Sequence, residues 1–475
     1  MNRSIRRVGA VAALLILALL VNISASYLLR TGGLDNNPQN RRVREAQFAQ
    51  PRGAILAGNT AMAQTVPAKG QFAYMRDYTN GPMYAPITGY YSFIYGRSRL
   101  EQVYNAELTG TDDAQAIRRF IDQLSGREPE GASVQTTINP KAQRAAWNGL
   151  RGLKGAVVAL DYTTGAILAY VTSPSYDPAL LASDDLDGTQ KAWADLNADP
   201  NRPMSDRAGR EIYPPGSSFK LVTAAAALEA GWTPETKVDS PAQLKLPGSS
   251  TYMHNSEPCG GAKVTLQQAL KVSCNTAFAN VGLELGQDAL RAQAEKFGFD
   301  SSFGSDVGSA TSVFPTGLDQ AQTAMSAIGQ FDVAASPLQM AVVAAAIAND
   351  GLVMQPYFVS QVRAADLSLV KQQQPVSLNQ AVSTETAQQL QQMMQVVVSS
   401  GTGMRAQIPG LTIGGKTGTA QSDGSRPPYA WFTGYAVELH VAVCVFVEDA
   451  GTDEDQSGGA TAAPIFRQVV QALKG

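Results

Sequence analysis

The feature that most constrains this chain is an uncharged segment from Val8 to Leu29, which follows three arginines within the first seven residues. A helix of about 20 apolar residues spans the hydrocarbon core of a bilayer, and positive charge before it keeps that end in the cytoplasm. We therefore predict a cytoplasmic tail and single membrane anchor in residues 1–30, with the rest of the chain outside the membrane. A cleaved signal peptide, with small residues at 24–26, is the alternative and exports the same remainder.

Composition limits what the exported part can do. The 475 residues are 44% hydrophobic, which suits two or three domains with large cores. The net charge is −3 and no basic stripe is present, so nucleic acid is not an expected partner. The two histidines, His254 and His440, and the three cysteines show no metal-ligand spacing, so no metal is expected. Any nucleophile here needs a base other than histidine.

Changes in pattern along the chain suggest two further domains. Residues 31–132 begin with a polar, loop-like tether at 31–41 and continue with short elements and frequent turns, which predicts a small non-catalytic α+β domain. From residue 133 to 475 the patterns are stronger. A strand hairpin is predicted over 155–171, three more strand-like runs occur near the end, and alanine-rich helices such as 220–230 lie between. This arrangement favours an antiparallel sheet covered by helices, an α/β (α+β) domain.

A sharp turn places a serine at the start of a helix. Two prolines and a glycine precede Ser217 in the sequence YPPGSSFK, and an alanine-rich helix follows. Unpaired backbone N–H groups and the positive end of the dipole at a helix start favour developing negative charge. Lys220 lies three residues further and shares a helix face with Ser217. A lysine whose pKa is lowered by burial or by a nearby cation can accept the serine proton.

Two more motifs follow in chain order. The segment Ser273-Cys-Asn275 comes after a short helix that starts with a capping-box pattern, so we expect it in a turn before the next helix. The segment Lys416-Thr-Gly418 occurs once and is expected at the end of a strand. Its glycine would let a peptide pair with the strand edge, and its lysine suits a carboxylate.

Short motifs of this kind also arise by chance. A second Ser-x-x-Lys begins at Ser368, and a second Ser-x-Asn begins at Ser377. Both lie in a polar segment with a proline between them, where no helix start is expected. We interpret these second copies as chance matches, and we interpret the glutamines at 372–374 as a surface loop.

The order of the three motifs is the signature of penicillin-binding proteins and class A β-lactamases. The resemblance extends to residues 155–178 and 328–351, which are similar to the transpeptidase domain of penicillin-binding proteins. Residues 52–59 and 89–110 resemble the non-catalytic domain of the monofunctional class B type. From about residue 40 onward the chain resembles class B penicillin-binding proteins, most of all the actinobacterial penicillin-binding protein A group.

This resemblance implies a penicilloyl-serine transferase fold, with an antiparallel five-stranded sheet sandwiched by helices, and D,D-transpeptidase activity without a cofactor. In the family, the serine is acylated by a peptidoglycan stem peptide ending in D-Ala-D-Ala. The terminal D-Ala leaves, and an amine of a neighbouring stem accepts the acyl group. β-Lactams acylate the same serine. The implied partners are a membrane glycan polymerase of the shape-and-division family and other division proteins.

The resemblance also assigns roles to motif residues. The expected catalytic roles are nucleophile for Ser217, general base for Lys220, proton shuttle towards the leaving amine for Ser273, hydrogen bonding to the base and the substrate amide for Asn275, and electrostatic support for Lys416. Thr417, Gly418 and Thr419 are expected to bind substrate, the two threonines through its terminal carboxylate. Backbone N–H groups of Ser217 and Thr419 would form the oxyanion hole.

Other functions compete with transpeptidation. A class A β-lactamase needs a water-activating motif after Asn275, which this sequence lacks, and has no long N-terminal domain. A D,D-carboxypeptidase shares all three motifs and differs in letting water replace the acceptor. The intact motifs argue against an idle scaffold, and the missing cytoplasmic domain argues against a β-lactam sensor. A bifunctional glycosyltransferase needs more than the roughly 100 residues before the catalytic domain.

Cysteine usage adds one structural hypothesis. Cys259 and Cys274 are 15 residues apart, and export permits a disulfide between them. Such a bond would brace the loop beside Ser273, whereas the alternative is three free thiols. Cys444 lies in an apolar strand-like run and is expected to be buried and inert.

Overall fold

The computed structural model describes residues 3–35, 45, 47–115, 130–304, 306–420, 427–449 and 457–474. The α-helices of the described residues are α1 (Arg3–Asp35), α2 (Gly81–Thr88), α3 (Arg99–Val103), α4 (Asn105–Leu108), α5 (Pro140–Gly149), α6 (Leu186–Ala198), α7 (Lys220–Glu229), α8 (Leu266–Lys271), α9 (Asn275–Lys296, with a kink at Gly286), α10 (Gln320–Ser326), α11 (Pro337–Ala348), α12 (Thr384–Ser400) and α13 (Ala463–Lys474).

The strands are β1 (Ile55–Ala57), β2 (Thr60–Pro67), β3 (Tyr74–Tyr78), β4 (Tyr91–Ser92), β5 (Gly96–Arg97), β6 (Ser133–Thr136), β7 (Lys154–Asp161), β8 (Ile167–Ser173), β9 (Lys237–Asp239), β10 (Gln243–Lys245), β11 (Tyr252–His254), β12 (Lys263–Thr265), β13 (Leu352–Met354), β14 (Val359–Arg363), β15 (Leu369–Gln372), β16 (Ser377–Gln380), β17 (Ile413–Ala420), β18 (Tyr429–Ala436) and β19 (Val441–Asp449).

A five-stranded sheet forms the centre of the larger domain. Its order is β17-β18-β19-β7-β8, and every neighbouring pair is antiparallel. Alternate residues of a strand point to opposite faces, so Ala156 and Val158 join one core while Val157 and Ala159 join the other. Helix α11 packs on the first face, and α5 and α13 pack on the second. The predicted antiparallel sheet sandwiched by helices is therefore confirmed.

Helix α11 shows why this sandwich closes tightly. Its sequence is almost entirely small or aliphatic, and nearly all of it is buried against the sheet. Ser336 caps its start by accepting a hydrogen bond from the Gln339 N–H, and Pro337 occupies the first turn, where its missing N–H costs nothing. A helix that is apolar on all sides is stable only inside a core, which fixes its place over the sheet.

A second, six-stranded sheet joins early and late parts of the chain. Its order is β15-β14-β6-β1-β2-β3, with β6 parallel to β1 and antiparallel to β14. The predicted domain boundary at residue 132 separates segments of sequence, but this sheet connects them. Gln372 is the last residue of β15, so the glutamine segment predicted as a loop is partly strand.

The N-terminal helix is longer than the sequence predicted. Residues Arg3–Tyr27 form a helix that is long and apolar enough to cross a membrane, and none of its most apolar window is buried in the protein. The helix continues to Asp35, so the prediction of a loop-like tether from residue 31 is wrong for 31–35. Adding residues to an existing helix is far easier than starting one, so α1 continues through Thr31, Gly32 and Gly33 although these residues are poor helix formers. The remainder of the predicted tether, 36–41, lies outside the described residues.

Candidate active site

The turn before α7 presents one serine. A short 3-10 turn, Gly216–Phe219, leads directly into α7. Gly216 has a φ of 52°, and a Cβ there would lie 2.8 Å from the Thr419 carbonyl oxygen, so this position requires glycine. Ser218 is buried and its hydroxyl donates to a backbone carbonyl within the turn at 2.6 Å. Ser217 is only half-buried, so it is the serine that a substrate can reach.

The side chain of Lys220 is completely buried and joins the first motif to the second. Its Nζ donates to the Ser273 carbonyl oxygen at 2.8 Å, to Asn275 Oδ1 at 2.7 Å and to Ser273 Oγ at 3.3 Å. No salt bridge to Lys220 occurs among the described residues. Burial, and then the nearby charge of Lys416, hold the pKa of Lys220 well below its usual value.

The second motif sits at a junction between two helices. The Thr265 side chain caps α8 by accepting from the Gln268 N–H at 3.1 Å, which is half of the predicted capping box. The Gln268 side chain instead donates to the Cys259 carbonyl oxygen at 3.4 Å. The chain then turns at Ser273, whose φ is 61°. Helix α9 begins at Asn275, so the serine and asparagine side chains leave this turn in the direction of Lys220.

A residue from another segment holds this junction in place. Asn255 Oδ1 accepts from the N–H groups of Asn275 at 2.8 Å and Thr276 at 3.0 Å, and so caps α9 from outside. The Asn275 side chain donates from Nδ2 to the His254 carbonyl oxygen at 2.9 Å, which orients its Oδ1 towards Lys220. His254 therefore contributes to the site through its backbone.

The third motif brings a second buried lysine to Ser273. Lys416 lies in the middle of β17, so its predicted position at a strand end is wrong, because β18 pairs with β17 as far as Ala420. Its Nζ donates to Ser273 Oγ at 2.8 Å and to the Thr417 carbonyl oxygen at 2.8 Å. Burial lowers the pKa of Lys416 to about 7. One hydroxyl, Ser273 Oγ, is therefore within hydrogen-bonding distance of two lysines.

The remaining residues of β17 pack near the turn that carries Ser217. A Cβ at Gly418 would lie 2.9 Å from the Pro215 carbonyl oxygen, so the absent side chain lets the turn approach the strand. The Thr417 hydroxyl is 2.6 Å from that of Thr402 and is largely buried, whereas Thr419 is half-buried. β17 is also an edge strand of its sheet.

Comparisons with known proteins decide the family. Residues 155–471, about two thirds of the chain, match the penicillin binding protein transpeptidase domain. The chain belongs to the penicillin-binding protein transpeptidases. Residues 52–134 of this penicillin-binding protein match the penicillin binding protein A dimerisation domain. The predictions of family, fold and enzyme class are confirmed.

Individual relatives agree over the full length. The chain is 43% identical to peptidoglycan D,D-transpeptidase PbpA of Mycolicibacterium smegmatis, over 99% of each chain. It is 40% identical to PbpA of Mycobacterium tuberculosis over the same shares. The ceftriaxone acyl-enzyme complex of penicillin-binding protein A from M. tuberculosis superposes with a TM-score of 0.87, covering 91% of this chain and all of that chain. The penicillin G acyl-enzyme complex of the same M. tuberculosis protein superposes with a TM-score of 0.85, covering 90% of this chain and all of that chain.

A disulfide lies inside the second motif of this penicillin-binding protein. Cys259 and Cys274 are bonded, and Cys274 is the residue between Ser273 and Asn275. Both cysteines are buried. The bond links the motif to the segment that supplies Asn255. Cys444 is buried in β19 as a free thiol, and burial raises its pKa.

The structure separates the motif copies and adds residues that the sequence did not indicate. Ser368 directly precedes β15, the edge strand of the six-stranded sheet, and Ser377 begins β16, so neither copy starts a helix. Asn255, Thr402 and Gly329, whose carbonyl oxygen accepts from the Gly216 N–H at 2.9 Å, were missed. Asn255 and Thr402 lie 20 and 15 residues from the residues that they contact, with no local pattern to mark them. Gly329 lies in the segment 328–351 that resembles the family, but nothing in that segment indicates a contact with Gly216.

Proposed function

We propose that Ser217 is the acylated nucleophile of this D,D-transpeptidase and that Lys220 is the base that activates it. The observation that carries the proposal is a fully buried Lys220 ammonium that has only neutral acceptors, one turn of helix after an accessible serine. Such burial favours the neutral amine, which is the form able to take a proton. The start of α7 adds N–H groups that stabilise negative charge beside the serine.

The two lysines give Ser273 a role in returning the proton. Ser273 Oγ lies 3.3 Å from Lys220 Nζ and 2.8 Å from Lys416 Nζ. A proton taken from Ser217 by Lys220 can pass through this hydroxyl to the leaving amine, because the hydroxyl both donates and accepts. Asn275 fixes the position of Lys220 and can hydrogen-bond a substrate amide through its remaining donor capacity.

Strand β17 is the proposed platform for the substrate. An extended peptide can add to its free edge by main-chain hydrogen bonds. Lys416 offers positive charge, and Thr417 and Thr419 offer hydroxyls, for the terminal carboxylate of the donor. The backbone N–H groups of Ser217 and Thr419 form the proposed oxyanion hole, which Gly216 allows by bringing the turn against Thr419.

The proposed substrate is a peptidoglycan stem peptide ending in D-Ala-D-Ala. Attack by Ser217 forms an acyl ester and releases D-Ala, and the amine of a second stem then forms the cross-link and frees the serine. The names of the relatives, peptidoglycan D,D-transpeptidases, support this substrate. Solved acyl-enzyme complexes of the M. tuberculosis relative with ceftriaxone and penicillin G support β-lactams as covalent inhibitors.

The proposed topology places this chemistry outside the cell. Residues 1–30 hold the chain in the membrane with the arginine-rich end inside. Residues 31–132 form a domain that positions the catalytic domain, 133–475, and binds partners. A membrane glycan polymerase of the shape-and-division family is the proposed partner, because cross-linking requires new glycan strands close by.

Intact mass measurement of the full chain in detergent with benzylpenicillin tests the nucleophile. A stable adduct of one penicilloyl group is expected on the parent and on Ser368→Ala, which removes the serine of the second Ser-x-x-Lys. No adduct is expected on Ser217→Ala. An adduct on Ser217→Ala would overturn the assignment, and turnover of penicillin without a lasting adduct would indicate a β-lactamase.

A further inference from the structure

A buried ion pair connects the N-terminal domain to the segment that leads to the nucleophile. Arg99 Nη1 lies 2.9 Å from Asp206 Oδ2, with side-chain exposures of 15% and 1%. Arg99 lies in the region that matches the dimerisation domain, and Asp206 lies in the transpeptidase domain, eleven residues before Ser217. The pair therefore crosses between the two family domains at a point close in sequence to the proposed nucleophile.

The backbone conformation at Arg99 is unusual for a residue that carries a side chain. Arg99 has a φ of 53°, a left-handed conformation that glycine adopts readily and side chains disfavour. Arg99 also starts α3, so its neighbours cannot relax the turn without disturbing that helix. An arginine at a position suited to glycine costs conformational free energy, and we expect its ion pair with Asp206 to offset that cost.

Asp206 organises a tight turn on the catalytic side. Its Oδ1 accepts from the N–H groups of Ala208 at 3.1 Å and Gly209 at 3.2 Å, and both of its oxygens accept from the Tyr170 hydroxyl, at 2.9 and 2.7 Å. A Cβ at Gly209 would lie 2.2 Å from the Tyr170 hydroxyl oxygen. The carboxylate, the tyrosine of β8 and this turn are therefore packed as one unit, and Arg99 adds a positive charge to it.

Backbone hydrogen bonds connect this unit to the turn that carries Ser217. The Ala208 carbonyl oxygen accepts from the N–H of Leu338 in α11 at 2.9 Å. Tyr213 then exchanges two backbone hydrogen bonds with Ala335, at 3.0 and 2.9 Å, and the Gly216 N–H donates to the Gly329 carbonyl oxygen. Hydrogen-bonded backbone therefore connects the Asp206 turn to the residue before Ser217.

We propose that Arg99 is a positioning residue for acylation, acting through Asp206 to fix the segment that presents Ser217. The proposal rests on Ser217 being the nucleophile. The N-terminal domain is then part of the support of the active site, in addition to any role in binding partners. Arg210, which donates from Nε to the Gly308 carbonyl oxygen at 2.8 Å, also interacts with the charge of Asp206, so the carboxylate keeps some compensation when Arg99 is removed.

The test is the second-order rate of benzylpenicillin acylation of the full chain in detergent, normalised to the final fraction of molecules acylated. Arg99→Gly is expected to slow acylation about tenfold, since small misplacements of a reacting group have effects of this order or larger. Arg99→Lys should recover part of the rate, because it restores the charge. Arg97→Gly is the control and should acylate at the parent rate, because within the described part of the chain the Arg97 guanidinium donates a hydrogen bond to the Gln47 side chain on the N-terminal side of the chain and not to the catalytic domain.

Two further variants separate positioning from simple stabilisation. Asp206→Asn keeps the shape and should slow acylation similarly, and adding Arg99→Gly to it should change the rate less than about twofold, because coupled residues are not additive. If Arg99→Gly and Asp206→Asn lower the melting temperature but acylate at the parent rate, or if their rate effects are additive, the proposal is wrong. Failure of the parent itself to form an adduct would instead overturn the assignment of Ser217.

Discussion

Two clusters of buried charge in this protein are built on opposite principles. In the N-terminal domain, the Glu101 carboxylate lies between Arg52 and Arg76, each 2.6 Å away from one of its oxygens, and all three side chains are almost fully buried. In the proposed active site, Lys220 and Lys416 are equally buried and share Ser273 Oγ, but no salt bridge to either lysine occurs among the described residues.

The difference accounts for the structural role of one cluster and the proposed reactivity of the other. Burial alone would raise the pKa of Glu101, but the charges of Arg76 and Arg52 outweigh it and lower that pKa, so the carboxylate stays ionised. The lysines have no such compensation, and burial lowers their pKa values towards the range where a proton can move. Compensated charge holds structure, whereas uncompensated charge is available for chemistry.

The sharpest way to break this comparison is Lys220→Met. Acylation by benzylpenicillin should fall by about 10²–10⁴-fold, the range for loss of a general base. The free energy of unfolding should change by no more than about 2 kcal/mol, because removal of a buried ammonium offsets the acceptors left unpaired at Ser273 and Asn275. Stopped-flow acylation and denaturant unfolding measure the two effects. Acylation within tenfold of the parent would exclude Lys220 as the base.

Glu101→Gln should have the reverse outcome. It leaves Arg52 and Arg76 buried without a carboxylate, and breaking a buried pair in this way costs about 3–5 kcal/mol of unfolding free energy. The acylation rate per folded molecule should stay at the parent value. The control is Glu295→Gln, which breaks an exposed pair with Arg291 and should cost only about 0.3–0.5 kcal/mol. Equal losses in the two variants would mean that burial does not distinguish the ion pairs.

The pH dependence of stability sharpens the comparison further. The unfolded chain keeps a proton on Lys416 up to a pKa of about 10.4, whereas the folded pKa is about 7. Between these values the unfolded state binds more protons, so the free energy of unfolding rises with pH. Lys416→Met should make this rise shallower from pH 7 to 9, while Lys371→Met, an exposed lysine, should not. Identical slopes would show that Lys416 does not titrate in this range.

The smallest expected effect concerns the scaffold around the lysines. Asn255→Ala removes the side chain that caps α9 and should cost about 1 kcal/mol of unfolding free energy. Asn255→Asp keeps the acceptor oxygens and should cost less, which a pair of denaturant melts can resolve. Asn255 Nδ2 also donates to the Pro241 carbonyl oxygen at 3.2 Å and to Thr276 Oγ1 at 3.0 Å. A larger loss in the aspartate variant would mean that these two donor contacts matter more than the cap.

The sequence predicted what depends on local order and missed what depends on long-range contact. Lys220 follows Ser217 by one helical turn, so its position needed only the turn and the helix. Ser273 and Asn275 followed from the end of one helix and the start of another. Asn255 and Thr402 lie in segments with no distinctive local pattern, and only folding brings them to the motifs.

The fold shows the same division. Continuous apolar runs predicted the five central strands because both faces of that sheet are covered by helices. The six-stranded sheet was not predicted, since its late strands β14 and β15 are short and polar in places, and β14 pairs with β6, more than two hundred residues earlier. Pairing at that distance leaves no periodic signal in either segment.

The six-stranded sheet limits the order in which its strands can pair during folding. Strand β6 ends at Thr136 and its antiparallel neighbour begins at Val359, so 359 − 136 = 223 positions separate them. Chains fold from the N-terminus as they are made, and an open strand edge is a template for pairing with other molecules. Until β14 has been synthesised, the edge of β6 that later pairs with β14 is therefore unpaired. During that interval, other groups must cover this edge of the nascent chain to prevent it from pairing with other molecules.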